Sequence, residues 1–473
     1  VARSTIRHAL NIPLASAKWN ALSKANISAL DDWGSDLVEK QLLSYMFRLN
    51  YDYNSRYLLT VSGRWDGASQ LAKGNKWAFF PSAALGWRLD QEGFLQDISW
   101  INQLKLRVGV GVTGNSAIDP YQTKGAVVPV YYPFGASPTP GFVASESIAK
   151  DGNVAMANKD LTWEKTTQYN IGVDYSVLNG RISGVLDFYT SRTTDLLMEM
   201  TIPSLNGYTN TYANVGKTSN IGIDLTLNTV NVKTRSFEWS TSINAAWQKD
   251  KIDELANGKE DDINNSWFIG QALGVIYGYQ SAGIWKEEDA AEMAKFNAKG
   301  HSFQAGMARP VDQNGDYKID PNDDRVVIGH TRPRWTFGMT NTFSYKNFDL
   351  SVMLYGRFDY MVDTGGEWQG GRYTQRKINY YNENNKNAEY QKPIHDDGDP
   401  YYQILGYKNG SFLKVRNISL GYTFPQTLVK KWNLSNLKVY VQAKNPGRIF
   451  SNIDFLELDA SQNLTSTWNR GFT

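Results

Sequence analysis

The residues Phe237-Glu238-Trp239-Ser240-Thr241-Ser242-Ile243-Asn244-Ala245-Ala246-Trp247-Gln248 decide the fold. Phe237, Trp239, Thr241, Ile243, Ala245 and Trp247 share one face of an extended chain, and Glu238, Ser240, Ser242, Asn244, Ala246 and Gln248 share the other. A period of two held this long gives a strand able to cross a membrane, which takes about 9–11 tilted residues. Strands of soluble sandwiches usually stop at about five or six. Leu104, Leu106, Val108, Val110 and Val112 oppose Lys105, Arg107, Gly109, Gly111 and Thr113 in the same way, and Phe348 to Asp359 repeats the pattern. In a sandwich, Lys105, Arg107, Glu238, Asp349, Arg357, Lys414 and Arg416 would point into the core. Only a water-filled or plugged lumen tolerates them.

The pattern predicts about a dozen strands, at 42–53, 56–66, 77–88, 104–113, 165–178, 181–192, 219–231, 236–249, 334–345, 348–360, 411–423 and 437–444. At Asn417 the alternation slips by one residue, which predicts a bulge. Asn179-Gly180, Lys233-Thr234-Arg235 and Lys346-Asn347 close tight turns, whereas residues 115–164, 193–218, 251–333 and 361–410 form long polar and aromatic connections. Strict alternation of short and long puts every long loop at one end of an antiparallel sheet, the arrangement of an outer-membrane barrel. Two connections at the short end are longer, 89–103 and 424–436, and Leu428, Val429 and Trp432 in the second predict a short helix at the periplasmic rim. Tyr45, Tyr51, Tyr53 and Tyr57, with Phe343, Tyr345 and Phe348, are expected to form interfacial girdles.

Composition narrows the class. A formal net charge of +2 over 473 residues gives no basis for a nucleic-acid partner. The absence of cysteine removes disulfides, thiolate metal sites and cysteine nucleophiles from this stretch. Mean hydropathy is −0.46, and nothing approaches the roughly 18 consecutive apolar residues of a spanning helix. If the chain meets a membrane, strands cross it.

Asp312-Gln313-Asn314-Gly315-Asp316-Tyr317-Lys318-Ile319-Asp320-Pro321-Asn322-Asp323 has the oxygen spacing of a calcium loop. Asp312, Asn314, Asp316, Asp320 and Asp323 would offer side chains and Lys318 its backbone carbonyl, to a structural Ca²⁺ or Mg²⁺. Tyr317 stands where such loops carry glycine, and Asp323 where they carry glutamate; the alternative is an Asx-rich turn that needs no metal. Catalysis is not expected. His8, His301, His330 and His395 show no ligand spacing, and Asp261-Asp262 and Asp396-Asp397 are read as solvated loop charge. Trp267, Tyr277, Tyr279, Trp285, Trp368, Tyr373, Tyr380, Tyr381, Tyr401 and Tyr402 in the long loops could grip a sugar or peptide as a group, though each singly is expected to pack its loop.

Several motifs, in order along the chain, resemble the C-terminal barrel portion of SusC/RagA-type TonB-dependent transporters. They are Arg48-Leu49-Asn50-Tyr51-Asp52-Tyr53 with Arg56-Tyr57-Leu58-Leu59, Asp66-Gly67, Phe80-Pro81-Ser82 with Gly86-Trp87-Arg88, Leu104-Lys105-Leu106-Arg107 with Thr113-Gly114-Asn115, Trp163-Glu164, the Asp312 to Asp324 stretch with Gly329, and Phe348-Asp349-Leu350. Ala68, where the family usually has serine, and Pro446-Gly447-Arg448-Ile449 depart from the pattern. The resemblance implies an all-β transmembrane barrel of 22 strands with a plug, importing oligosaccharides or peptides handed over by a SusD-like surface lipoprotein. It further implies energy from a TonB complex, contact with membrane lipid and lipopolysaccharide, and a dimer of importer–lipoprotein pairs. On that basis residues 1–41 are expected to be an extracellular loop segment, 42–445 barrel strands and 446–473 an extracellular loop with the last strand missing, so that the stretch is truncated at both ends. A passive porin or adhesin, and a secreted all-β carbohydrate-active enzyme, are the competing readings.

Overall fold

The computed structural model describes residues 2–10, 32–123, 126–134, 137–145, 155–203, 205, 210–364, 378–393, 398–453 and 471–472. Its centre is one antiparallel sheet of 13 strands. Twelve of them follow chain order: Leu42–Tyr53, Tyr57–Ala68, Trp77–Arg88, Ile101–Asn115, Glu164–Val177, Ile182–Thr194, Lys217–Lys233, Phe237–Glu254, Trp335–Tyr345, Phe348–Phe358, Phe412–Thr423 and Lys438–Ser451. All twelve are the strands that the period-two pattern predicts. The short Gly471–Phe472 strand pairs with Ala443 and Lys444 at one edge.

Register turns the alternation into two continuous surfaces. Tyr51, Leu59, Leu85, Val108, Ile171, Phe188, Ile223, Trp247, Trp335 and Phe358 stand opposite one another in sequence across ten adjacent strands. Leu85, Val108, Ile171 and Phe188 in this row are exposed. A water-facing surface would not carry so long an apolar row, and a lipid-facing one requires it. Three residues along each strand, Lys105, Asp174, Val185, Thr226, Asn244, Gly338, Tyr355, Lys414 and Arg448 form a row on the other face. Polar atoms that do lie on the apolar face satisfy each other: Asn341 Oδ1 accepts from Thr241 Oγ1 at 2.7 Å and Trp239 Nε1 at 3.0 Å, as hydrocarbon requires.

Aromatic residues mark both borders of the apolar band. At the short-turn end Tyr57 stacks on Tyr53 and Trp87, and Phe348 and Phe424 both contact Tyr422. Tyr45 belongs to the opposite border, where it stacks on Trp77 beside the Trp65–Phe79 pair. Tyr57 and Trp65 share a face of one strand, so at about 3.3 Å per residue the borders lie roughly 26 Å apart along it. That distance suits an outer-membrane apolar band about 25 Å tall once the strands tilt.

The turns agree with the sequence. Leu178, Asn179 and Gly180 all take left-handed backbone conformations, φ 57°, 56° and 76°, which a tight hairpin needs and which Asn and Gly adopt readily. The 424–436 connection contains a helix, Gln426–Val429, continued by a 3₁₀ turn, Lys430–Trp432; Val429 is its buried anchor. The helix at the short-turn end is therefore present as expected. Among the described residues no helix is long and apolar enough to cross a membrane.

Two expectations need correction. The bulge falls at Arg416, one residue before Asn417, because Val415 pairs with Leu354 and Asn417 with Met353. The strand expected to end at 444 runs on to Ser451, so residues 446–451 are strand and not loop. Asn445, at φ 49°, and Pro446 are accommodated opposite the Arg416 bulge, where the ladder is already broken and proline costs no hydrogen bond. Within the segment 1–41, Ala2–Leu10 pairs antiparallel with Asp32–Lys40.

Candidate functional site

Two regions carry the polar chemistry: the charged face of the sheet and the unit built by the long connections. On the sheet, Arg107 donates through Nε to Asp174 at 2.8 Å and through Nη2 to Asp187 at 3.0 Å, and Lys105 lies 3.9 Å from Asp174. Arg107, Gly172 and Asp187 are register partners on three adjacent strands. Glycine in the middle lets the guanidinium cross, since a β-carbon at 172 would collide with the Asp187 carboxylate and sit 2.6 Å from Arg107 Nη2. Further round, Tyr355 accepts from Arg357 Nε at 2.8 Å while the Arg416 guanidinium stacks 4.7 Å from its ring centre. Asp349 is held by Lys438 at 2.9 Å, and Glu238 by Lys233 at 3.2 Å. The charges expected to point inward thus share one face, with acidic partners that the sequence reading did not single out.

Connection 251–333 and the described residues of connection 361–410 fold together as one unit. The first supplies two small antiparallel pairs, Val275–Tyr279 with Arg325–His330 and Ser281–Ile284 with Ala308–Pro310, and a helix, Ala290–Ala298. Trp285 is the centre, packed against Phe296 and Phe303 and covered by Arg309, whose guanidinium is 4.4 Å from the ring and paired with Asp289 and Glu292. The second connection adds Tyr381, Tyr390, Ile404 and Leu405 around Ile284 and Ala308. Asp399 ties the two, accepting from the Ala308 N–H at 2.8 Å and the Tyr401 N–H at 3.1 Å. Burial raises the Asp399 carboxyl and pushes the Tyr401 phenol up to about 12. Trp285, Tyr279, Tyr381 and Tyr401 therefore pack the loops, while Tyr380 stays exposed; Trp368 and Tyr373 lie outside the described residues.

The 312–324 stretch forms a chain of turns. Asp312 accepts from the Gly315 and Tyr317 N–H groups, Asn314 from Asp316, Asp316 from Lys318, and Asp320 from Asn322 and Asp323. Lys318 also donates through Nζ to Asp320 at 2.8 Å, a contact that holds this carboxyl below its usual range. Among the described residues no three acidic or histidine side chains converge as a cation cluster. Asp312, Asn314, Asp316 and Asp320 thus use side-chain oxygens to cap the loop's own amides, as in an Asx-rich turn, with Lys318 and Asp323 in the same stretch. Tyr317 takes the left-handed conformation, φ 62°, that glycine would have taken. The residue missed is Asp324. It is fully buried and closes the stretch by accepting from the Gln313 N–H at 2.7 Å and the Asp320 N–H at 2.9 Å. His301 Nε2 accepts from Ile319 N–H, and burial lowers its pKa, so the imidazole stays neutral.

Two hollows open at the same end of the sheet. One of about 560 Å³ is lined by Lys73, Lys76 and Lys159 with Glu39 and Tyr121, above a buried knot of Leu71, Phe80, Leu161 and Trp163. The other, about 740 Å³, is lined by Glu199, Glu260, Asp261 and Asp262 with Trp267. Asp261 and Asp262 spend their oxygens on the Ile269 and Asn265 amides, so they shape a turn and do not form an acid–base pair. Asp396 and Asp397 lie outside the described residues.

An antiparallel sheet with one lipid-compatible face, one ion-paired face and all long connections at one end defines a segment of an outer-membrane β-barrel. Residues 14–445 match the family described as "TonB dependent receptor-like, beta-barrel", and the chain belongs to that family. It is similar to TonB-dependent receptor SusC of Bacteroides thetaiotaomicron, at 31% identity over 438 residues, covering 86% of this chain and 40% of the relative. TonB-dependent receptor P3 of Formosa agariphila is 30% identical over 433 residues, covering 87% and 41%. The chain thus spans about two fifths of the length of these curated relatives. A chain of the RagAB peptide transporter shares the fold, with a TM-score of 0.73 at 24% identity over 93% of this chain and 47% of its own. These relatives are receptors and transporters, not enzymes, and their barrels lie in the outer membrane.

Proposed function

We propose that this chain is the barrel portion of a SusC-like importer that takes up oligosaccharides or peptides with energy from a TonB complex. The observation that carries the reading is the pairing of two unlike faces: an apolar row ten strands wide backed by Arg107, Asp174, Asp187, Arg357, Lys414 and Arg416. A soluble enzyme has no use for the first, and a lumen uses the second. In this reading the tight turns face the periplasm. The packed unit of residues 275–330, 378–393 and 398–409 faces outward and presents a docking surface to a SusD-like lipoprotein that delivers substrate. The names of the relatives, SusC and a peptide transporter, support import without choosing between glycan and peptide.

Uptake of labelled oligosaccharides and labelled peptides by cells carrying the full-length receptor tests the proposal. Uptake of one class should stop when the proton gradient is dissipated. Uptake that persists without the gradient would mark a passive porin and overturn the reading.

A further inference from the structure

The hollow of about 560 Å³ is built where two connections meet the chain leading into Leu42–Tyr53. The turn 69–76 is tied to the segment before Glu164–Val177 at three points. The Ala72 N–H donates to the Leu161 carbonyl at 3.1 Å, Asn75 Nδ2 to that of Asp160 at 2.9 Å, and Trp163 Nε1 to that of Lys76 at 2.9 Å. Ser69 and Gln41 exchange two bonds, from the Ser69 N–H to the Gln41 carbonyl at 3.0 Å and from the Gln41 N–H to Ser69 Oγ at 2.9 Å. Tyr121 Oη accepts from the Glu39 N–H at 3.1 Å. The walls are therefore held through the backbone, and the volume falls within the roughly 300–1,000 Å³ of small-ligand sites.

Its chemistry is lopsided. The floor is Gln70, Leu71 and Ala72, all buried, and the rim carries Lys73, Lys76 and Lys159, with Glu39 the one acid among the described lining residues. The three lysines form no ion pair among the described residues. Two stand on the turn and the third on the facing segment, so like charges confront one another across the opening. Gln70 is 3% exposed; its Nε2 donates to the Ser116 carbonyl at 2.9 Å, which fixes the orientation of the amide. Its Oε1 is left without a partner among the described residues, and a buried acceptor of this kind calls for a donor. Tyr121 presents a ring 43% exposed and holds φ 75°, a left-handed conformation that bulky side chains rarely adopt. The second hollow at this end has the opposite sign, with Glu199, Glu260, Asp261 and Asp262 and no basic residue among those described in its lining.

We propose that this hollow binds an acidic oligosaccharide, with the carboxylate of a uronic-acid residue set among Lys73, Lys76 and Lys159. The proposal rests on the importer reading above, which puts this end of the sheet outside the cell, and it names the class of substrate within that reading. Three features ask for one ligand together. The lysines need an anion, Gln70 Oε1 takes the hydrogen of a hydroxyl, and the Tyr121 ring offers a flat apolar face. A uronic-acid residue carries a carboxylate, hydroxyls and an apolar ring face in one unit. An acidic peptide brings the charge without the neighbouring hydroxyls or the ring. Lysines act as flexible point charges that hold a carboxylate without orienting it, so orientation falls to Gln70 and Tyr121.

The test is isothermal titration calorimetry of the full-length receptor extracted in detergent, with tetragalacturonate, tetramannuronate, the methyl esters of both, and tetraglutamate. Wild type should bind at least one of the two acids, about tenfold or more tightly than its uncharged ester. The triple variant Lys73→Ala/Lys76→Ala/Lys159→Ala should lose about tenfold or more of that affinity and treat acid and ester alike. Lys431→Ala, at the short-turn end, should match wild type. Failure of wild type to bind either acid, an ester bound as tightly as its acid, or undiminished binding by the triple variant would overturn the proposal. Tetraglutamate bound as tightly as the saccharide would reduce recognition to charge and overturn the saccharide. Retained heat-modifiable migration in gels shows that the triple variant is folded. Binding needs no proton gradient, so lysine-dependent binding together with uptake that persists without the gradient would overturn the importer reading and leave the hollow standing.

Discussion

At the residue scale, small side chains matter because something larger needs their space. Gly172 is the clearest case. Replacing it with alanine drives a β-carbon into the Arg107–Asp187 contact, and the structure has to give up either that pair or the local strand register. Gly172→Ala should therefore lower the thermal stability of the detergent-solubilised receptor by about 1–3 kcal/mol. Gly109→Ala, where the new carbon meets nothing nearer than 3.7 Å, should leave the midpoint in place. Equal midpoints for the two variants would mean that Arg107 does not depend on the gap. Asp324 offers a second case. It ties both ends of the 312–324 stretch through backbone amides, so Asp324→Ala should expose the loop to protease, and chelator should not. Calcium titration of wild type and Asp316→Ala should give the same curve; calcium-dependent protection lost only in Asp316→Ala would show that the stretch holds a cation. Asp324 was hard to single out in the sequence because it is one acid among several, and only burial separates it from its neighbours.

At the element scale, the strands were legible and the connections were not. Alternation is a local signal, and a lipid face and a lumen face impose it on every crossing, so all twelve long strands are visible without a structure. What escaped were the exceptions to alternation. The bulge was displaced by one residue to Arg416, and Asn445-Pro446, which reads as a stop, lies within a strand whose ladder is already interrupted there. The long connections were opaque for a different reason: their order comes from contacts such as Ala308 with Asp399, 91 residues apart, which leave no periodic trace. The short connection after Trp77–Arg88 is held in a way that pH can probe. Burial alone would raise the Asp90 carboxyl, but hydrogen bonds from Arg88, Gln91 and the Leu104 N–H outweigh it and hold the pKa down to about 2. A carboxyl lowered on folding adds stability that is complete above its ordinary pKa of 3.8 and is lost as pH falls through about 2. Asp90→Asn should accordingly speed pepsin cleavage within residues 89–100 relative to wild type at pH 4, and the gap should narrow at pH 2. A ratio unaffected by pH would show that Asp90 is not the anchor.

At the scale of the whole molecule, the alternation of tight turns with long connections becomes a vertical axis. One end is finished with three-residue-scale turns, aromatic stacking and a short helix, while the other carries two hollows and a packed two-loop unit. The sheet between them has two faces that cannot exchange roles, because a one-residue slip would send Arg107 and Asp174 into lipid and Val108 and Ile171 into the lumen. Alternate residues of a single strand therefore see hydrocarbon and water. Single cysteines placed at each position from 104 to 112 of the full-length receptor, spin-labelled in outer-membrane vesicles, test it directly. Collision with lipid-soluble oxygen should be high at 104, 106, 108, 110 and 112 and low at 105, 107, 109 and 111, with a water-soluble quencher showing the reverse. A flat profile along the strand, or water access on both faces, would show that the sheet does not separate lipid from lumen.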